Sequence, residues 1–212
     1  ITRCDSCADE RVTFRYGRAC ENSGRPALLQ HRRERATRQG VGIHMHVAES
    51  RLSWENIRDR FGATPVAHLR DLGLLGPDFL AAHCIWLADE EVRLLGEPGT
   101  VLSYSPECHM KVVLGVAPIA DMLEAGVHVA LGIDSQAVND NVDLFEAARV
   151  GAMLQKVDTM DPSILPAAQA LEMATIEGAK ALGLDDQIGS LTPGKRADIV
   201  RRFQNGELQS LF

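Results

Sequence analysis

Positive charge is in short supply. The 212 residues carry 22 Lys and Arg against 29 Asp and Glu, a formal net charge of −7. That balance leaves no basic footprint for nucleic acid and no polybasic signal for an anionic membrane. No apolar run approaches the roughly 20 residues that a membrane-spanning helix requires. The opening Ile1-Thr2-Arg3-Cys4-Asp5 lacks the apolar core of a secretory signal. The five cysteines are odd in number and scattered, and Cys4-x-x-Cys7 has no second pair to complete a structural zinc site. A reducing cytoplasm is the expected compartment.

What is present suits a soluble globular chain, with 45% hydrophobic and 24% charged residues. At this length it is one domain or part of a larger one. Residues 1 to 38 differ from the rest. The first residue is not Met, and runs such as His31-Arg32-Arg33-Glu34-Arg35 show no clear apolar period. This segment is expected to be a poorly ordered lead-in or a scrambled remnant.

From residue 40 the pattern is regular. Val41-Gly42-Ile43-His44-Met45-His46-Val47-Ala48-Glu49 reads as a β-strand bounded by Gly40 and Ser50. Residues two apart on a strand share a face, so His44 and His46 point the same way, and Glu49 follows where the strand gives way to a loop. Two imidazoles and a carboxylate at one strand end suit a metal or a proton-transfer site. The competing reading is a pair of buried, hydrogen-bonded histidines beside a surface Glu.

Further along, Ser53 caps a helix over residues 53–60, and Thr64-Pro65 opens another that stops at Gly73, with His68 structural. Phe79-Leu80-Ala81-Ala82-His83-Cys84 is a buried strand ending in a histidine. Asp89–Leu95 forms a helix opened by acids, which suits its dipole. Strand Thr100–Tyr104, a loop from Ser105 to His109, helix 117–125 and strand Val127–Asp134 follow. Helices over about 142–157 and 166–182 come next, and a turn from Ile188 to Val200 leads into a strand.

Strand and helix thus alternate four times, with near-continuous apolar strands. Such strands are buried on both faces, which predicts an α/β fold with a parallel sheet under helices. In (β/α)-barrels the catalytic residues come from the C-terminal strand ends. His46, His83 and Asp134 all lie there, and so does the Tyr104–His109 loop. Imidazole and carboxylate are natural ligands for a divalent metal, zinc above all. Glu49 is placed to carry protons, His83 to polarise the attacking water, and Asp134 to serve as ligand and base.

His46-Val47-Ala48-Glu49, Ala82-His83-Cys84, Leu114-Gly115-Val116-Ala117-Pro118 and Leu131-Gly132-Ile133-Asp134 resemble the metal-dependent amidohydrolase superfamily. The nearer likeness is to its branch of methylthioadenosine/S-adenosylhomocysteine deaminases and triazine hydrolases. Asn139, Asp143-Leu144-Phe145 and Arg149 fit that branch. So do Gly178–Leu184 and Gly189–Asp198, which resemble its return into a small β-domain. The resemblance runs from about Gly40 to Val200. It implies a (β/α)8 TIM barrel, here about its second half (strands 5 to 8) over residues 39–186, and the start of a β-sandwich domain over 187–212. It also implies one divalent metal, zinc or ferrous iron, held by His46 and Asp134, with His83 beside the activated water or as a third ligand. Glu49 would shuttle protons and, with Asp134, touch the substrate, while His44 would be an inward-facing support. Two features differ from the pattern. Cys108 and His109 stand where the family carries Ser-Asn, and His109 is expected to be a loop residue. No His-x-His pair precedes residue 40, so the chain is expected to be the C-terminal half of a longer enzyme, by truncation or a broken reading frame. The implied activity is hydrolysis of a non-peptide carbon–nitrogen bond, deaminating a purine nucleoside or related nitrogen heterocycle. The alternatives are a triazine chlorohydrolase or aminohydrolase, and a catalytically incomplete fragment. The expected partner is a small-molecule substrate, with no nucleic acid or membrane and with homo-oligomerisation left open.

Overall fold

Alternation along one strand organises the molecule. In β2 (Gly42–Val47), Ile43, Met45 and Val47 are buried while His44 and His46 face the other way. The computed structural model describes residues 12–21, 25–196 and 199, with the backbone alone at 203–204 and 207–208. β2 is the second of five strands that lie side by side in chain order, every neighbouring pair parallel. The others are β1 (Arg15–Cys20), β3 (Phe79–His83), β4 (Val101–Tyr104) and β5 (His128–Leu131).

Helices connect them. They are α1 (Pro26–Gln39), α2 (Arg51–Phe61), α3 (Pro65–Asp71), α4 (Asp89–Gly96), α5 (Pro106–Lys111) and α6 (Ile119–Glu124). After β5 come α7 (Gln136–Asn139), α8 (Leu144–Thr159), α9 (Ala167–Ala174) and α10 (Ile176–Leu182). A separate antiparallel pair, β6 (Phe203–Gln204) and β7 (Glu207–Leu208), follows. Among the described residues no helix is long and apolar enough to cross a membrane.

The main core lies between the sheet and these helices. Ile43, Met45, Val47, Phe79, Ala81 and Leu102 pack with Val66 and Leu69 of α3, Val92 and Leu95 of α4, and Ile119 and Met122 of α6. Full burial of one such side chain stabilises the fold by roughly 1.5–3 kcal/mol. The opposite face carries His44, His46, Leu80, Ala82, Val101 and Ser103 in register. There Leu80, Val101 and Ala130 form a small cluster with Ala181 of α10. Five parallel strands with most of the helices on one face form a partial barrel, and the face bearing the histidines is its interior.

Within the expected lead-in, Arg15–Cys20 and Pro26–Gln39 are instead the first strand and helix of the sheet. β1 pairs with β2 from Arg15↔Gly42 to Cys20↔His46. Its polar sequence hid it, because Arg15 is held by hydrogen bonds to Asp78 O (3.2 Å) and Ala181 O (2.6 Å) rather than by apolar packing. α1 buries only Leu29 and Ala36, and Arg33 ties it to both carboxylate oxygens of Asp78. Gly40 ends it in the left-handed conformation (φ 64°), where a Cβ would be unfavourable. The Cys4-x-x-Cys7 pair lies outside the described residues.

Three smaller expectations also change. The cap of α2 is Ser50, whose hydroxyl accepts from Ser53 N, so the helix starts before residue 53. The 105–109 loop is the start of α5, with Pro106 in the first turn, where its missing N–H does no harm. Residues 166–182 are two helices, broken at Thr175 (φ −128°, ψ −93°).

Candidate active site

The strand ends carry the chemistry, and their backbone is unusual. Ala48 (φ 46°), His83 (φ 74°), Cys84 (φ 48°) and Asp134 (φ 59°) all adopt left-handed conformations that non-glycine residues rarely take. Such strain persists only where neighbours over-determine it. Here Cys84 N donates to Val47 O (2.9 Å), and Ile85 N and Trp86 N both donate to Ala48 O (3.1 and 3.0 Å). Ala48 N in turn donates to Glu21 Oε1 (3.1 Å).

The twist at His83 has a direct consequence. His83 pairs with Val47, so alternation alone would send its side chain under the helices with Phe79 and Ala81. The left-handed turn brings it over the rim instead, and its ring centroid lies 4.9 Å from that of His46. His46 Nδ1 is 4.0 Å from Glu49 Oε2, both side chains being about two-fifths exposed. His83 is 2% exposed, and its Nε2 lies 3.7 Å from Asp134 Oδ2.

Asp134 follows β5 beyond Gly132, whose N–H donates to Tyr104 O (2.7 Å). Gly132 leaves the space that a side chain would take, since a Cβ there would stand 2.4 Å from Ser103 Oγ. Asp134 Oδ1 accepts from Ser135 N (2.6 Å) and Oδ2 from Cys108 Sγ (3.2 Å). Partial burial pushes this carboxyl up, but those two donors and the nearby His83 and His46 hold it below its ordinary value.

The expected loop residues Cys108 and His109 lie in α5 and contact Asp134 and His83. One turn of α5 buries both. His109 Nε2 lies 3.1 Å from His83 Nδ1, and His109 Nδ1 has no hydrogen-bond partner among the described residues. Burial, with His83 adding to it, pushes His109 down to about 3 and keeps it neutral. Burial likewise lowers His83 and His44. Cys108 is pushed up to about 12, by burial and by the Asp134 carboxylate it donates to.

Among the described residues, two groups of side chains bring potential ligand atoms within 4.8 Å of one another: His46, Glu49 and His83, and His83, Cys108 and Asp134. His83 belongs to both. Among the described residues the expected trio of His46, His83 and Asp134 does not fall within one such span. His44 lies on the barrel-interior face and is exposed there, one register step below the rim. Glu21, which no sequence pattern singled out, is fully buried at the end of β1 and accepts from both Ala48 N and Ser53 Oγ (2.9 Å).

Known proteins match most of this chain. A sequence profile of the Amidohydrolase family aligns with residues 5–202. The chain belongs to the amidohydrolase family. The match reaches well before Gly40 and so includes β1 and α1. The 5-methylthioadenosine/S-adenosylhomocysteine deaminase of Syntrophomonas wolfei is 44% identical over 194 residues, covering 91% of this chain and 45% of that protein. Among solved structures, an adenosine deaminase from Xanthomonas campestris with bound zinc superposes with a TM-score of 0.88 at 30% identity, covering 91% of this chain and 44% of that one. The atrazine chlorohydrolase of Arthrobacter aurescens in complex with zinc gives 0.80 at 26% identity, covering 88% and 43%. The chain therefore spans less than half the length of these relatives. The fold is that of an amidohydrolase barrel in part.

Proposed function

We propose that this chain forms part of a metal-dependent hydrolase that deaminates a purine nucleoside or related cyclic amidine. The observation that carries the reading is the approach of His83 Nε2 to Asp134 Oδ2 (3.7 Å) on the same rim as His46 and Glu49. The buried His83 Nε2 has no hydrogen-bond partner among the described residues, which fits a nitrogen kept for a cation. Asp134 and His83 would hold that cation, with His46 beside them. A divalent ion, zinc or ferrous iron, would supply Lewis-acid activation of a water at neutral pH. The zinc bound by the two structural relatives supports the choice of metal.

The chain's own residues do the proton work. Glu49 takes a proton from the attacking water and passes it to the ring nitrogen, and Asp134 takes the second and returns it to the departing amine. The amidine carbon gains an oxygen and ammonia leaves. His83, with Nδ1 engaged by His109 and Nε2 turned toward the cation, would fix where the activated water stands. The resemblance to an atrazine chlorohydrolase supports a second reading, with chloride or an alkylamine as leaving group on the same rim.

The same reading places the enzyme in a reducing cytoplasm, acting on small molecules and not on nucleic acid or membrane. Buried free thiols at Cys84 and Cys108 are in keeping with that compartment. Residues 187–212 are read as the start of a small β-domain, which the antiparallel β6–β7 pair supports. The test is ammonia release from adenine nucleosides and triazines by the complete protein that carries this chain. Release from a nucleoside supports deamination; chloride or alkylamine release from triazines alone supports the second reading. Turnover of neither class overturns the proposal.

A further inference from the structure

We propose that Cys108 is a metal ligand, so that the cation sits in a mixed His83–Cys108–Asp134 site with a sulfur donor. This inference rests on the metal reading above and names a ligand that the family motif did not supply. The family pattern has Ser where Cys108 stands.

Geometry supports it first. A tetrahedral zinc centre with Zn–S of about 2.3 Å and Zn–N or Zn–O of about 2.0–2.1 Å has ligand–ligand edges of roughly 3.3–3.6 Å. The observed edges are 3.2 Å from Cys108 Sγ to Asp134 Oδ2 and 3.7 Å from His83 Nε2 to the same oxygen. All three donor atoms lie within 4.8 Å of one another. These three donors would occupy neighbouring positions of such a shell.

The surrounding hydrogen bonds point the same way. A metal-bound histidine almost always engages its other ring nitrogen, which fixes the tautomer. His83 does so through Nδ1, to His109 Nε2 at 3.1 Å, and this leaves Nε2 unpartnered and aimed at Asp134. Asp134 is oriented in the same manner, because Ser135 N occupies Oδ1 and leaves Oδ2 turned inward. Cys108 and His83 are each 2% exposed, whereas the Asp134 side chain is 26% exposed. Two donors thus form a dry wall and the third marks the way in.

A thiol beside a carboxylate is an arrangement that a cation completes. Without metal the thiol holds its proton and donates it to Asp134. When a divalent ion binds, the S–H bond breaks, the proton passes to solvent and sulfur keeps the electron pair that it gives to the metal. The thiolate also makes the site softer than one of imidazole and carboxylate alone, which favours zinc over magnesium or calcium.

The experiment is a cobalt(II) titration of the full chain followed by absorbance. The expected result is one cobalt per chain with an intense near-ultraviolet sulfur-to-cobalt charge-transfer band. In Cys108→Ser that band disappears, and affinity falls by more than the roughly 10–100-fold that loss of a supporting hydrogen bond causes. Cobalt bound with visible bands only, or a band that survives in Cys108→Ser, overturns the sulfur ligand and leaves the histidine–aspartate reading standing. No cobalt binding at all overturns both. Should Cys108→Ser fail to fold, a Cys4→Ser/Cys7→Ser/Cys20→Ser variant decides. Only the buried Cys84, which is in neither ligand group, and Cys108 then remain. A retained band supports the proposal and a lost band overturns it.

Discussion

Replacing Glu21 separates its hydrogen-bonding role from its charge. Its Oε1 accepts from Ala48 N and Ser53 Oγ, and so anchors both the strained end of β2 and the first turn of α2. Ala48 is fully buried and Ser53 nearly so. Glu21→Ala strands both donors at about 1–3 kcal/mol each, and we take about 3 kcal/mol in total for the pair. In a chain of this size that corresponds to a fall of about 6–12 °C in Tm. Glu21→Gln keeps the acceptor and is expected to change stability at pH 4 by less than about 1 kcal/mol.

The pH dependence follows from the same burial. Burial pushes the Glu21 carboxyl above its ordinary 4.5, against the hydrogen bonds that favour its charged form. Between the unfolded and folded values the native state holds a proton that the unfolded chain has lost, so stability falls as pH rises through that window. Glu21→Gln removes this loss. It should match the wild type below pH 4.5 and exceed it at neutral pH. Urea denaturation of the three chains at several pH values is the assay. A Glu21→Ala effect below about 0.5 kcal/mol would refute the anchor, and a Gln variant as unstable as Ala would refute the part assigned to acceptor geometry.

Other expectations follow from single contacts. Glu49→Gln in the complete enzyme should lower kcat by about 10²–10⁴-fold with a far smaller change in KM, measured by steady-state ammonia release, because the amide cannot carry the proton. Phe79→Ala should destabilise by about 3–5 kcal/mol in urea, since Phe79 is fully buried beneath the helices. Gly132→Ala should destabilise by about 1–3 kcal/mol because its Cβ meets Ser103 Oγ. Adding Ser103→Ala should recover part of that loss, and a double-mutant cycle with no coupling would contradict the steric account.

Local pattern made the middle of the sheet legible. β3, β4 and β5 are short apolar runs, and β2 alternates, so their existence and the side on which His44 and His46 lie followed from periodicity. The expected placing of His46, Glu49, His83 and Asp134 at strand ends agrees with the rim that forms. β1 was hidden because it is polar and is held by Arg15 hydrogen bonds to residues 63 and 166 positions away. The inward turn of His83 was hidden because alternation predicts the opposite face and only a left-handed φ reverses it. Cys108 and His109 read as loop residues in the sequence because their partners, Asp134 and His83, are each 26 residues distant. Glu21 had no motif at all, and its importance comes from the burial of the groups it satisfies.

The most direct test of the account is the metal content of the dialysed chain, wild type beside a His83→Ala/Asp134→Asn variant. The account predicts close to one zinc per wild-type chain and none above background in the variant. A wild-type chain that retains no zinc, or a variant that retains as much, would contradict a cation held at this rim.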